Sequence, residues 1–316
     1  MPPRERIAII GAGHVGATTA YALMLRALLR EIVLIDSDAG LAEAEAADLS
    51  HANALARPAR IWVGGYADTA SARIAVITAG AATAGAQSRL SVASQSADIV
   101  AACVKQLAAA GFEGVIVVAS NPVDLMALIA SRHAGLVPGR VIGTGTLLDS
   151  SRLRRLLAEK PGVAPASLDG DVHGEQGDSE VVAFSAVRIG GIPLEEFVGP
   201  KPRLNHHALA EDVRQAGYRI VAGKGYTSFG VATATVRICE AIMRDEKAVL
   251  PLSTLLTGQY GIFDIYLSLP SILGAGGVER VLTPKLTFAE EAALGKSAAV
   301  LSAALKALDA GAVKAP

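Results

Sequence analysis

Six short runs in the first half of the chain are apolar without alternation: Ile7 to Ile10, Ile32 to Ile35, Ile61 to Val63, Ile74 to Thr78, Val115 to Ala119 and Val141 to Ile142. A strand with one wet face alternates apolar and polar residues; a strand covered on both faces does not. Ala/Leu-rich stretches with helical periodicity lie between most of the runs, including Ala17 to Leu29, Leu41 to Leu55 and Ser91 to Ala110. Strands that need cover on both sides, separated by segments able to supply it, predict an α/β protein with a doubly wound parallel sheet. The texture changes after Gly143. A helix is expected over Leu148 to Glu159, then a Pro/Gly-broken stretch with alternating segments around Val172 and Val181 to Ile189. A helix over Leu204 to Asp245, interrupted near Gly223 to Thr227, precedes a hairpin over Gln259 to Leu269 and an amphipathic helix over Phe288 to Leu308. The boundary falls near Gly143 to Gly145, giving a first domain over residues 1–144 and a second, α+β domain over 145–316.

Charge narrows the function classes. With 29 basic and 30 acidic side chains in 316 residues the net charge is −1, which offers no footprint for nucleic acid or an anionic membrane. The mean hydropathy of +0.40 reflects alanine and β-branched residues, and no apolar run reaches the ~18 residues of a membrane span. The start MPPRERIAII lacks a signal-peptide core, and Cys103 and Cys239 form neither a disulfide framework nor a metal knuckle. Both cysteines read as small core hydrophobes, no metal site is expected, and the expected compartment is the cytoplasm.

The first strand ends on Gly11-Ala-Gly13-His14-Val15-Gly16, which opens a helix. Gly11 permits a tight turn, Gly13 lets the backbone approach a pyrophosphate, and Gly16 lets helix and strand pack closely, with the helix N-terminus facing the phosphates. His14 and Val15 present backbone N–H groups there, His14 as a solvated first-turn residue. Asp36 stands 20 residues after Gly16, at the end of the second strand, where a carboxylate accepts both hydroxyls of a ribose. It would repel a 2′-phosphate, and Ser37, Asp38 and Ala39 bring no cation. The expected fold of the first domain is therefore a Rossmann fold, and the expected cofactor is NAD rather than NADP.

Further segments occur in an order and spacing that resemble the lactate/malate dehydrogenase family: GAGHVGATTAYAL from Gly11, SNPVD from Ser120, GTGTLLDSSRLR from Gly143, GEQGDSE from Gly174, KGYTSFG from Lys224 and GQYGIFDIYLSLP from Gly258. The resemblance runs from about Arg6 to Leu308 and implies an NAD-dependent oxidoreductase of small 2-oxo and 2-hydroxy acids, assembled as a homodimer or homotetramer. Arg152 matches the family's carboxylate-binding arginine, whose planar fork suits bidentate pairing. Arg89, after the small-residue stretch Gly80 to Ser88, matches the lid arginine that polarises the keto oxygen. Asn121 corresponds to an asparagine near nicotinamide and substrate carbonyl, Thr227 to a substrate-pocket threonine, and Gly80 to the cofactor side of the lid. Asp149 matches the aspartate that supports the proton-donating histidine.

That histidine itself is absent. The family's G-E-H-G-D reads Gly174-Glu-Gln-Gly-Asp178 here, so Gln176 stands at the acid–base position. An amide donates hydrogen bonds but releases no proton at accessible pH, and acid–base catalysis is typically worth about 10²–10⁴-fold. Three explanations stand open. His173, three positions upstream, takes over, which requires Gly174 to turn the chain because an odd offset points to the opposite face of a strand. Alternatively the proton comes through water or the substrate itself, as when a different carbonyl or an imine is reduced. Or Gln176 marks a weakened enzyme, an NAD- and carboxylate-binding descendant, or an engineered trap.

Specificity departs too. Six residues before the lid arginine, where the family reads the substrate side chain, stands Thr83. Without a cation there a second carboxylate would be buried unpaired, so malate and oxaloacetate are disfavoured and a larger uncharged side chain than a methyl is expected. His51, His206 and His207 read as structural or solvated, and Asp178 as fixing the turn after Gly177. In allosteric relatives a basic pair binds a sugar bisphosphate; Arg154 matches one member, but Asp169 stands where the other would be, so no such activation is expected.

Overall fold

The structure, a computed structural model, describes residues 5–56, 59–81, 89–159, 161–199 and 204–312. The first half contains β1 (Arg6–Ile10), α1 (His14–Leu25), β2 (Glu31–Ile35), α2 (Ala39–Asn53), β3 (Arg60–Val63), β4 (Ile74–Ile77), α3 (Arg89–Ala109), β5 (Val115–Val118), α4 (Val123–Ala134) and β6 (Val141–Gly143). These six strands pair in parallel in the order β3-β2-β1-β4-β5-β6. The order reverses between β1 and β4, and open α/β sheets bind ligands at the carboxyl ends of strands at such a switch point.

Apart from the half-buried edge strand β3, the apolar runs are buried on both faces because successive residues serve different cores. Ala8, Ile10, Ala75, Ile77, Ile116 and Val118 pack with Val104, Leu107 and Met126 on the side of α3 and α4. Their neighbours Ile7, Ile9, Ile74, Val76, Val115 and Val117 pack with Leu23, Met24 and Leu49 on the side of α1 and α2. Each large side chain so buried stabilises the fold by about 1.5–3 kcal/mol relative to leaving it exposed.

The second half follows as α5 (Leu147–Glu159), β7 (Leu168–Asp169), β8 (Val172–His173), β9 (Val181–Val182), β10 (Arg188–Ile189), β11 (Ile192–Pro193), α6 (Leu194–Val198), α7 (His206–Lys224), α8 (Phe229–Met243), β12 (Ala248–Thr257), β13 (Phe263–Gly274), β14 (Gly277–Val281) and α9 (Phe288–Ala312). The expected hairpin is displaced: residues Gln259–Gly261 form its turn, and its first strand is β12. Pro251 faces Pro270, and Ser253 faces Ser268, so prolines and buried serines break the apolar pattern that would have revealed the strand. The second half is also not a separate sheet. Ser253 of β12 pairs antiparallel with Gly143 of β6, extending the six parallel strands by β12, β13 and β14 to nine. A smaller core of Leu153, Leu157, Val182, Ile189 and Val213 joins α5 and α7 to the short strands. Cys103 and Cys239 are buried and free, and no described helix is long and apolar enough to cross a membrane.

Candidate active site

The glycine turn lies at the ends of β1 and β4. Gly11 has φ +103°, and a Cβ there would stand 2.6 Å from Ala79 N. A Cβ on Gly16 would stand 1.9 Å from the Gly11 carbonyl oxygen, so helix and turn touch backbone to backbone. Gly13 differs: among the described residues a Cβ would meet nothing within 4 Å, leaving open space over the first turn of α1. No side chain caps that helix and no acidic residue occupies its first turn, so the positive end of its dipole faces the opening unneutralised. This cradle fits a pyrophosphate.

Asp36 follows β2 half-exposed. One carboxylate oxygen accepts the Ala12 N–H at 2.6 Å and the other the Asp38 N–H at 2.9 Å. The bonds fix the carboxylate beside the turn and leave lone pairs for ribose hydroxyls. Asp38 caps α2 through Leu41 N at 3.0 Å, adding a second negative charge where a 2′-phosphate would sit. Val15 is half-buried behind the turn, whereas Gly80 and Asn121 are exposed on the loops after β4 and β5, and the Asn121–Pro122 bond is cis. Ser120 Oγ joins those loops by donating to Ala79 O at 2.6 Å. His14 is more than a solvated residue: its ring stacks on Tyr226 with centroids 3.9 Å apart, linking α1 to the turn that carries Thr227, itself half-buried.

Arg152 and Gln176 gather around Asp149. Asp149 and Arg152 lie on one face of α5 at i and i+3; Arg152 Nη1 donates to Asp149 Oδ1 at 2.6 Å. Gln176 Nε2 donates to Asp149 Oδ2 at 3.4 Å, so the glutamine amide stands on the aspartate where the resemblance calls for a histidine. Its amide has a second N–H for another acceptor. Gly217 of α7 lies opposite, where a Cβ would be 3.8 Å from Arg152 Nη2; any longer side chain would cover the guanidinium. Arg89 opens α3, and only its backbone is described. Thr83, with residues 82–88 of the small-residue stretch, lies outside the described residues.

A proton from His173 is one of the three open explanations. Gly174 does turn the chain, at φ +90°, but His173 stays in β8 opposite Val181, 1% exposed, with Nδ1 lacking a hydrogen-bond partner among the described residues. Burial pushes its imidazole down to about 4, against a weaker upward pull from Glu290. Desolvation of this kind disfavours the charged imidazole and works against a proton-donating role. Asp178 does more than fix its turn, accepting the Tyr218 hydroxyl of α7 at 2.8 Å. His206 stacks on Phe184 and pairs with Glu195 at 2.6 Å.

Two buried acids escaped the sequence reading. Asp124, 2% exposed in the first turn of α4, accepts the Gln176 N–H at 2.8 Å and the Ser253 hydroxyl at 2.5 Å; burial pushes its carboxyl up to about 7. Glu180, also buried, has Oε1 without a partner among the described residues, and burial followed by the Asp149 charge pushes its carboxyl up. Asp124 closes the quoted segment SNPVD, and Glu180 closes GEQGDSE, but an acid in a motif carries no sign of burial until the fold is known.

A pyrophosphate cradle, a ribose-binding carboxylate and an arginine–carboxylate–amide group on one α/β scaffold define a dinucleotide-dependent oxidoreductase of small acids. The profile of the lactate/malate dehydrogenase NAD binding domain matches residues 5–143, and that of the family's alpha/beta C-terminal domain matches residues 146–311. The L-lactate dehydrogenase of Thermus aquaticus is 42% identical over 307 residues, covering 96% of this chain and 99% of that protein. That of Priestia megaterium is 40% identical over 305 residues, covering 95% of each. The crystal structure of the minor L-lactate dehydrogenase from Enterococcus mundtii, in its ligands-bound form, superposes with a TM-score of 0.92 at 38% identity, covering 96% of this chain and 98% of that one. The chain belongs to the lactate/malate dehydrogenase family, and NAD is its cofactor.

Proposed function

We propose that the protein interconverts a 2-oxo monocarboxylic acid with an uncharged side chain and the corresponding 2-hydroxy acid. Bound NAD supplies the hydride acceptor and, when reduced, the donor. Arg152 pairs with the substrate carboxylate, Arg89 polarises the reacting carbonyl from the lid, and Asn121, Thr227 and Thr83 line the remaining pocket. Gln176, resting on Asp149, donates its free N–H to the reacting oxygen and orients it; the proton itself comes from water. Gly11, Gly13, His14, Val15, Gly16, Asp36 and Gly80 form the cofactor surface. Exposed Tyr21 and Leu25 on α1 and Phe229 on α8 support burial against further copies in a cytoplasmic homodimer or homotetramer.

The observation that carries this reading is the placement of Gln176 and Arg152 on the two oxygens of one buried carboxylate. NADH oxidation with a panel of 2-oxo acids tests it: pyruvate and longer uncharged homologues should be reduced and oxaloacetate poorly. No consumption of NADH with any of them would defeat it. A second reading, an NAD- and carboxylate-binding protein with little turnover, is favoured by one observation, the burial of His173 in β8 at 1% exposure, away from solvent that would exchange its proton. Calorimetry showing NADH and 2-oxo acid bound together without reaction would select it.

A further inference from the structure

The turn that carries Gln176 starts at Gly174, φ +90°, whose N–H and carbonyl both pair with the Ser268 backbone of β13 at 3.0 Å, and closes on itself through Ser179 N–H to Glu175 Oε2 at 3.3 Å and Glu180 N–H to Gly177 O at 3.3 Å. Between those points lie the N–H groups of Glu175 and Gln176. They are tied by two side chains from other elements: Ser297 Oγ of α9 accepts the Glu175 N–H at 2.8 Å, and Asp124 Oδ2 accepts the Gln176 N–H at 2.8 Å. The second anchor reaches furthest. Asp124 stands three residues after Asn121, in the first turn of α4, and its other oxygen takes the Ser253 hydroxyl from β12. One buried carboxylate therefore joins the first turn of α4, the strand β12 and the turn that carries Gln176.

We propose that Asp124 is a positioning residue for the reaction: it sets Gln176 in register with Asn121, so that the amide and the cofactor side of the pocket address the same oxygen. The proposal rests on the reading of Gln176 as the residue contacting that oxygen. A buried carboxylate is costly unless donors meet it, and here two donors and the N-terminal end of α4 do so. Misplacement of a reacting group by about 1 Å can cost roughly 10²-fold in rate, so a tether at this point has a large effect through a small motion. The acid's upward-shifted titration, to about 7, places its change of charge inside the working pH range. Glu175, on the same turn, is the charged group that acts on it; Ser253 and the Gln176 N–H are the groups that hold the ionised form.

The test compares full-length Asp124→Ala, Asp124→Asn and Ser253→Ala with the wild type in pyruvate reduction between pH 5.5 and 9, with NADH affinity by fluorescence titration and hydrogen exchange of segment 174–180. Wild-type turnover checks the underlying reading on its own. Asp124→Ala is expected to lower kcat by about 10-fold or more, leave NADH affinity within about twofold, and speed exchange at the Gln176 amide. Asp124→Asn, whose amide oxygen still accepts that N–H, should recover part of kcat. Ser253→Ala removes a bond that favours the ionised form and should move the acidic limb of the kcat profile to higher pH. An unchanged kcat or unchanged exchange in Asp124→Ala overturns the proposal, as does a fall in kcat matched by lost NADH affinity. If Asp124→Ala does not fold, an acidic limb unmoved in Ser253→Ala overturns it equally. Should the wild type not turn over, the exchange rates still decide whether the tether exists, and unaltered exchange refutes it.

Discussion

At the scale of single residues the glutamine decides most. Gln176→His returns a titrating group to a position already braced by Asp149, and turnover of a 2-oxo acid is expected to rise by about 10²–10⁴-fold. Stopped-flow NADH oxidation measures this; a fall would mean that the amide performs chemistry that imidazole cannot. Asp36→Ala removes the carboxylate beside the glycine turn and should weaken NADH binding by at least about 10-fold, read by fluorescence titration, since it leaves the Ala12 N–H unpaired as well. His173 speaks to stability. Its folded value of about 4 lies below the ordinary 6.5, so its contribution is present above 6.5 and is lost as pH falls toward 4. The loss at pH 5 is roughly 2 kcal/mol. In urea titrations at pH 7.5 and 5 the wild type should lose about that much more than His173→Phe, whose ring has no charge to acquire. Asp36 and the glycines were legible because they belong to a spacing with a chemical purpose, whereas Arg152, Asp149 and Gln176 were singled out only by the resemblance of their segments to a known family. Asp124 and Glu180 were not, since their meaning comes from burial by elements more than a hundred residues away for the one and by a helix still to be docked for the other.

At the scale of elements the sequence spoke most clearly where one physical rule governs a whole segment. Unalternating apolar runs located β1 to β6, each to within a residue or two; five of these strands are covered on both faces, while the edge strand β3 is only half-buried. Helix ends were less clear: α1 starts at His14, three residues before its alanine-rich pattern, because the helix begins on the glycine turn itself. The first strand of the C-terminal hairpin was hidden by Pro251 and by Ser253, whose hydroxyl finds its partner in α4. The contact between α1 and the turn before it yields a direct test. Gly16→Ala places a methyl group 1.9 Å from the Gly11 carbonyl oxygen, and neither backbone can yield without displacing the strand. Destabilisation of about 1–3 kcal/mol, or more, is expected by thermal unfolding, with NADH affinity lost alongside. Gly13→Ala, with open space around it, should leave the melting temperature nearly unchanged while impairing NADH binding.

At the scale of the molecule, the position that would hold half of an effector site is already satisfied from within. Arg154 Nη2 pairs with Asp171 at 2.6 Å and its Nε donates to Gly170 O at 3.0 Å, while exposed Asp169 stands where a second cation would be needed. Fructose bisphosphate is therefore expected to leave the substrate saturation curve where it is, and a left shift in steady-state assays would contradict this.

The antiparallel pairing of Ser253 with Gly143 has a mechanical corollary. A protein whose two halves met only through side chains could open and shut like a clam; this one is sewn through its backbone from one lobe to the other, and its working motions must be confined to surface segments. Cut after residue 144, the amino-terminal fragment would bare the raw margin of β6, a template for self-association. Such a fragment should sediment as aggregates unless residues 248–281 are supplied to close the seam.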